Sequence, residues 1–400
     1  MGKISHQPRN ILFVEFVSKI SGAEICLLNL LRRLDRTQFR PIVVCPEKGP
    51  LTDALQNMGV KFYIVKMLRL VRYDLRSLLL YAANYITVVY RLVRIIREEN
   101  IALVHAFIYM AFKYACPAAW LTGVPIVGSM HDALIPERVS GFKRWLVVFL
   151  INHFLDVLIC VSNAIKAITV DQGANPSKVR TIYNGIDYKE IEAQANAEYP
   201  SDLRSELGFP HNTFLIGSVG RLTKWKGFQY MVEAMKEVLH CIPQARYVIV
   251  GDAFVDDDEW ADQLRNLPGE LGLSREIVFT GWRRDVPRIM KELDCLVLPS
   301  ALPDPFPTVI LEAMSLGVPI VATSVGGVPE MLIDGECGIL VEPQSSHALA
   351  KAIVDLYNDR QWAQDIATNA QRRLRENFTL EKHVENITHV YHELIRLRGR

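Results

Sequence analysis

Short apolar runs bounded by turn residues alternate with longer stretches whose apolar positions recur every three or four residues, and this alternation continues down almost the whole chain. The first pattern reads as buried strand, the second as one face of a helix. In the first half the runs predict strands at Ile11–Val17, Pro41–Cys45, Phe62–Val65, Ile101–His105, Pro125–Gly128, Val157–Val161 and Val179–Tyr183, with helices at Ile25–Leu34 and Leu51–Met58. In the second half they predict strands at Phe214–Gly220, Tyr247–Val250, Ile277–Phe279, Cys295–Leu298, Val318–Ala322 and Gly338–Val341. Helices are expected over Phe228–Leu239, around Glu312, and over most of Leu349–Arg400. Strand and helix in this alternation argue for an α/β protein built on parallel sheets.

Four hundred residues exceed one typical hydrophobic core, so two domains are expected. The turn Asn184-Gly185-Ile186-Asp187 and the polar run Tyr188–Ser205 set the boundary, giving a domain over 1–187, a second over 188–375 and a helical tail over 376–400 that is expected to pack back on the first domain.

Net charge is only +1, but it is unevenly divided: residues 1–185 hold 23 Lys and Arg against 12 Asp and Glu, and the rest hold 22 against 32. A basic first half points to an anionic neighbour such as a membrane surface, a lipid-linked phosphate or nucleic acid. Nucleic acid is the weakest of these, because the basic residues are not interleaved with an aromatic-lined groove pattern. Lys66–Glu99 sets Arg69, Arg72, Arg76, Arg91, Arg94 and Arg97 among apolar residues, and Phe142–Ile151 sets Lys143 and Arg144 beside a Leu/Val/Phe run. Such segments are either core helices with a solvated face or helices lying on a membrane surface.

The seven cysteines are odd in number and show no CxxC spacing, so they read as reduced core residues of a cytoplasmic protein. The apolar run Ile11–Val17 is too short for a signal peptide or membrane span.

Candidate chemistry gathers after strand ends. Ser21-Gly22-Ala23-Glu24 joins a strand to a helix, where glycine either lets a ligand approach the backbone or serves packing alone. His131 follows the strand at Pro125–Gly128, where a histidine is a ligand contact or a satisfied structural residue. Arg221, Lys224 and Lys226 crowd between Gly220 and Gly227 ahead of a helix, forming a phosphate cradle or a surface charge cluster. The chain lacks both GxxxxGK[ST] and a GxGxxG after a strand, which disfavours ATP hydrolysis and a dinucleotide cofactor. Asp256-Asp257-Asp258-Glu259 has no spaced partners and reads as a solvated loop rather than a metal site. The Pro-rich loop from Pro299 to Pro307 leads from a strand into the Glu312 helix, and the chain turns again at Gly326-Gly327.

Taken together these stretches resemble a family 4 retaining glycosyltransferase of the GT-B architecture, over nearly the whole chain. Ser21-Gly22-Ala23-Glu24 resembles the GGAE turn, Asn184-Gly185-Ile186-Asp187 the NG[VI]D junction, and Gly220-Arg221 with Lys226-Gly227 the GR…KG pair. Gly326-Gly327-Val328-Pro329-Glu330 resembles the GGxPE turn, and Asp304-Pro305-Phe306-Pro307-Thr308-Val309-Ile310-Leu311-Glu312 the E-x7-E motif, with Asp304 in place of its first Glu and Pro307 where Gly is common.

The resemblance implies two Rossmann-like domains facing a central cleft, an N-terminal one for the acceptor and a C-terminal one for the donor. It implies hexose transfer from a UDP- or GDP-sugar to a hydroxyl of a glycan or polyprenyl-linked saccharide, without cofactor or metal, at or near a cytoplasmic membrane face. His131, Arg221, Lys226 and Asp304 would be the catalytic set. Gly22, Arg221, Lys226, Phe306, Pro307, Thr308, Val309 and Glu312 would bind the donor, with Arg221, Lys226 and the Thr308 and Val309 amides on the diphosphate and Glu312 on the ribose. Asp304 and His131 would face the donor sugar, and Trp282-Arg283 would border the base. A GT-B epimerase or synthase, or a sugar-nucleotide binder without catalysis, are the other activities compatible with the pattern.

Overall fold

Two parallel sheets, each buried between helices, make up the protein in a computed structural model that describes residues 7–68, 74–253 and 257–398. Arg69, Arg72 and Asp256 lie outside the described residues. Residues 1–184 and 380–400 form one compact unit, and residues 185–379 form the other. The chain therefore changes unit three residues before the expected boundary and re-enters the first unit at Leu380 rather than after residue 375.

The N-terminal unit runs β1 (Arg9–Val14), α1 (Gly22–Arg33), β2 (Phe39–Cys45), α2 (Pro50–Asn57), β3 (Lys61–Ile64), α3 (Leu75–Glu98), β4 (Ile101–Ala106), α4 (Tyr109–Thr122), β5 (Ile126–Met130), α5 (Gly141–His153), β6 (Val157–Cys160), α6 (Asn163–Asp171) and β7 (Val179–Thr181). Its seven strands lie in the order β3-β2-β1-β4-β5-β6-β7, and every pairing is parallel. Ile11 to Val14 are fully buried, as a central strand covered on both faces requires. β1 stops at Val14, so Glu15 and Phe16 begin the loop that was expected to be strand. α4 carries no amphipathic period: its Ala-rich body packs between α3 and α5 and is buried almost all round, so spacing alone does not reveal it.

The second unit runs α7 (Tyr188–Ala195), α8 (Leu203–Glu206), β8 (Phe214–Val219), α9 (Phe228–Cys241), β9 (Ala245–Val250), α10 (Asp258–Glu270), β10 (Ile277–Gly281), α11 (Val286–Lys291), β11 (Cys295–Leu298), α12 (Thr308–Leu316), β12 (Ile320–Thr323), α13 (Val328–Met331), β13 (Ile339–Val341), α14 (Ser346–Asn358) and α15 (Arg360–Asn377). Its six parallel strands lie in the order β10-β9-β8-β11-β12-β13. The acidic run read as loop starts α10 instead: Asp258 and Glu259 occupy its first turn, where carboxylates complement the helix dipole.

The last helix, α16 (Leu380–Arg398), belongs to the N-terminal unit. Leu380, Val384, Ile387, Tyr391 and Leu394 fall on one stripe at alternating four- and three-residue steps, and that stripe is buried against α1 and β4. Burial of each such side chain stabilises the fold by about 1.5–3 kcal/mol. Arg180 on β7 grips Glu393 with two hydrogen bonds of 2.6 and 2.7 Å, adding a planar clamp to the apolar seam.

Candidate functional site

In each sheet the chain winds outward in both directions from one pair of strands, and loops leaving the carboxyl ends of such a pair part to opposite faces and leave a crevice. In the second unit this pair is β8 and β11. The loop after β8 carries Gly220, Arg221, Lys226 and Gly227, and the loop after β11 carries Pro299 to Pro307.

The two loops are stitched together by backbone. The Ala301 N–H donates to the Trp225 carbonyl at 2.8 Å, and Gly227 sits with positive φ so close that a Cβ would lie 2.0 Å from the Pro299 carbonyl oxygen. Only glycine fits there. Across this seam the Lys226 ammonium meets Asp304 Oδ2 at 2.5 Å, with side chains only 12% and 6% exposed. The Ser300 hydroxyl donates to the same oxygen at 3.2 Å. Asp304 is held from behind by the glycine turn, where the Gly327 N–H donates to the Asp304 carbonyl at 2.9 Å and a Cβ on Gly326 would fall 2.1 Å from that carbonyl oxygen. The Lys226 ammonium also lies over the Trp225 ring, 4.7 Å from its centroid.

The Pro-rich loop then delivers α12. Pro307 occupies its N-cap position and no side chain caps the helix, so its first turn presents backbone donors and the positive end of its dipole. Glu312 lies one turn inside. Burial raises its carboxyl pKa, and a hydrogen bond from Thr308 opposes that shift. Phe306 differs from its expected place among donor contacts: its ring is buried, edge-on to Phe378 at 5.5 Å, so it anchors the loop to the core. Trp282, at the end of β10, is 67% exposed, whereas Arg283 is spent on Asp285 and Glu206 at 2.6–2.8 Å. Among the described residues no three His, Cys, Asp or Glu side chains gather into a set that could hold a metal ion.

In the N-terminal unit the corresponding pair is β1 and β4. Gly22 opens α1, and the space around its Cα is clear: a Cβ there would meet nothing within 4 Å. Ser21 donates its N–H and hydroxyl to the Glu24 carboxylate at 2.9 and 2.5 Å, closing the helix start. His131 follows β5, its ring stacked on Phe107 at 4.7 Å and its Nε2 buried without a partner among the described residues. Burial, reinforced by nearby His383, pushes its pKa down to about 3, so the ring is neutral.

Three groups were not legible as site residues. Glu15 lies just past β1 with both carboxylate oxygens buried and unpartnered among the described residues, and burial together with Glu24 raises its pKa well above the carboxylate range. His105 bridges Ser129 at 2.7 Å and Tyr391 of α16 at 2.6 Å, and burial pushes its pKa down to about 3. Ser300 is the third, and its place two residues past the end of β11 was the available signal. The Tyr391 contact spans most of the chain length, which no local pattern encodes.

Comparison with known proteins places these features. A family model described as "Glycosyltransferase Family 4" matches residues 20–190, and one described as "Glycosyl transferases group 1" matches residues 201–373. The chain is 28% identical to the UDP-Gal:alpha-D-GlcNAc-diphosphoundecaprenol alpha-1,3-galactosyltransferase of Escherichia coli, over 98% of this chain and 99% of that one. It is 30% identical to an uncharacterized glycosyltransferase of Methanocaldococcus jannaschii, over 76% of this chain and 79% of that one. Among solved structures it resembles Anabaena HepE in complex with UDP-glucose, with 28% identity, a TM-score of 0.83, and coverage of 96% and 99%.

Proposed function

Because the chain belongs to glycosyltransferase family 4 and has the GT-B fold, we propose that it transfers a hexose from a UDP-sugar to a hydroxyl of a polyprenyl-linked saccharide, with retention of configuration and no metal. The observation that carries the reading is the buried Lys226–Asp304 pair, fixed across the β8 and β11 loops in the same Pro-rich loop that delivers the uncapped α12 helix. UDP is favoured over GDP because HepE is seen with UDP-glucose and the Escherichia coli relative is named for UDP-Gal. The lipid-linked acceptor rests on the second of these names.

The chemistry follows from charge. As the glycosidic bond breaks, negative charge accumulates on the leaving diphosphate, and donors already aimed at it stabilise the transition state more than the ground state. Lys226 and Arg221 supply fixed cations, and the Thr308 and Val309 amides add the helix dipole. Each charge-assisted hydrogen bond contributes about 1.5–3 kcal/mol. Asp304 accepts one of the three ammonium hydrogens of Lys226 and so aims the others, and its remaining oxygen is available to a sugar hydroxyl. Glu312, half-buried on α12, accepts from the ribose hydroxyls. Retention fits attack on the face the diphosphate leaves, with a phosphate oxygen taking the acceptor proton, so no side-chain nucleophile is needed. Gly22 and His131 enter on the family pattern: the first as a backbone donor to the diphosphate, the second as a neutral imidazole that hydrogen-bonds the sugar. On this reading a lipid-linked acceptor and a nucleotide-sugar donor meet at the cytoplasmic face of a membrane.

The test is incubation of UDP-glucose, UDP-galactose, UDP-GlcNAc and GDP-mannose with a polyprenyl-diphosphate-linked saccharide in EDTA, following donor loss. Consumption of a UDP-hexose supports the reading. Nucleotide binding with no donor consumed would make the chain a sugar-nucleotide binder, and turnover only of GDP-mannose would overturn the base assignment.

A further inference from the structure

Large apolar side chains left in solvent are concentrated on three consecutive helices of the N-terminal unit. On α3, Leu75, Leu79 and Ile86 are 74%, 63% and 68% exposed; Trp120 near the end of α4 is 69% exposed, and Phe142 and Trp145 at the start of α5 are 72% and 59% exposed. α4 packs against both neighbours, so the helices lie side by side. The α5 aromatics stack on one another, with Phe142 and Trp145 ring centroids 5.9 Å apart, forming a continuous flat ridge rather than isolated residues. A patch of this kind on a folded protein marks an interaction surface.

Charge identifies the partner. The three helices carry seven Lys and Arg against a single carboxylate, Glu98. That carboxylate is already paired with Arg94 at 2.6 Å. The whole N-terminal unit holds 27 Lys and Arg against 15 Asp and Glu. A second copy presenting the same face would set cation against cation, whereas an anionic lipid headgroup layer complements the cations and its acyl boundary receives the leucines and aromatics.

The helix also cannot cross the bilayer, although α3 is long and apolar enough by composition. Its second half buries Val88, Val89, Leu92, Ile95 and Ile96 in the unit and continues into β4, so the helix offers lipid only its exposed edge, from Leu75 and Arg76 to Tyr90 and Arg91. We propose that the solvent face of α3, α4 and α5 seats on an anionic bilayer, with Leu75, Leu79, Trp120, Phe142 and Trp145 entering the headgroup and acyl boundary and Arg76, Arg91 and Lys143 at headgroup level. This names the surface by which the chain reaches the lipid-linked acceptor of the proposed function, and rests on that reading for its purpose but not for its physics.

The test is co-sedimentation of the full chain with phosphatidylcholine vesicles, with and without phosphatidylglycerol, at low and high salt. UDP-hexose consumption with a polyprenyl-diphosphate-linked saccharide, without vesicles, is measured alongside. Wild type should sediment with the anionic vesicles and not the neutral ones, less so at high salt. The exposed-site variants Arg76→Glu/Lys143→Glu and Phe142→Ser/Trp145→Ser, checked for unchanged melting, should each bind roughly ten-fold or more weaker. Wild type remaining in the supernatant, variants binding like wild type, or a wild-type dimer that Phe142→Ser/Trp145→Ser dissociates without any vesicle binding would each overturn the proposal. Donor consumption without vesicle binding removes the docking surface and leaves the transferase reading; vesicle binding without donor consumption supports docking and removes the transferase reading.

Discussion

Lys226 Nζ stands 2.5 Å from Asp304 Oδ2, and the two side chains come from loops that follow different strands of the same sheet. The motif reading gives them separate tasks, the lysine on the diphosphate and the aspartate on the sugar. The structure adds that each fixes the other, so a substitution at either is felt at both.

Breaking a buried ion pair by removing one partner leaves the other charge desolvated, at a cost of about 3–5 kcal/mol. Asp304→Asn and Lys226→Met should each lower the urea midpoint, and the double variant should be less destabilised than the sum of the two. A double-mutant cycle by urea denaturation reads this coupling, and strict additivity would show that the pair is not stabilising.

Arg221→Ala or Lys226→Ala should lower turnover of the preferred donor by roughly 10²–10³. Steady-state kinetics on both variants check it. Near-normal rates in both would remove these side chains from the diphosphate.

Gly326 holds a left-handed φ of +57° against the Asp304 backbone, and a Cβ there would lie 2.1 Å from the Asp304 carbonyl oxygen. Gly326→Ala should therefore push Asp304 out of place, costing about 1–3 kcal/mol in backbone strain alone and weakening donor binding. Calorimetric titration with UDP together with a thermal melt measures both effects. Gly22→Ala is the control for stability, since its Cβ would meet nothing, and it should melt like wild type.

Acid should destabilise the N-terminal unit through its buried histidines. Burial holds His105 and His131 near 3, down from an ordinary 6.5, so the unfolded chain binds protons that the folded chain refuses. Their contribution is fully present above pH 6.5 and is lost as the pH falls from there toward 3. Glu15 acts with the opposite sign: its pKa is raised above 4.5, so stability falls as pH rises from 4.5 through that higher value. Urea midpoints at a series of pH values should show a shallower acid loss in His105→Gln and a higher midpoint at neutral pH in Glu15→Gln.

The parallel α/β architecture was legible because buried strands announce themselves as uninterrupted apolar runs, and the glycine turns because close backbone approach admits no other residue. Gly227 against Pro299 and Gly326 against Asp304 are the physical content of those motifs. α4 was not legible, because a helix buried on nearly every side loses its period. The return of the C-terminal tail to the first unit was legible, but the contacts that seat α16 were not, since its seam, its clamp on Arg180 and the Tyr391–His105 bond join residues separated by most of the chain. Phe306 shows the limit of carrying a motif over residue by residue: it belongs to the pattern, yet its ring packs in the core.

The most direct test of the account is mass spectrometry of the reaction between a UDP-hexose and a polyprenyl-diphosphate-linked saccharide in the presence of EDTA. UDP and a saccharide one hexose longer should form in equal amounts, with the donor's anomeric configuration kept and the yield collapsing in Lys226→Ala. UDP-sugar bound but unchanged, with no extended saccharide from any donor, would contradict it.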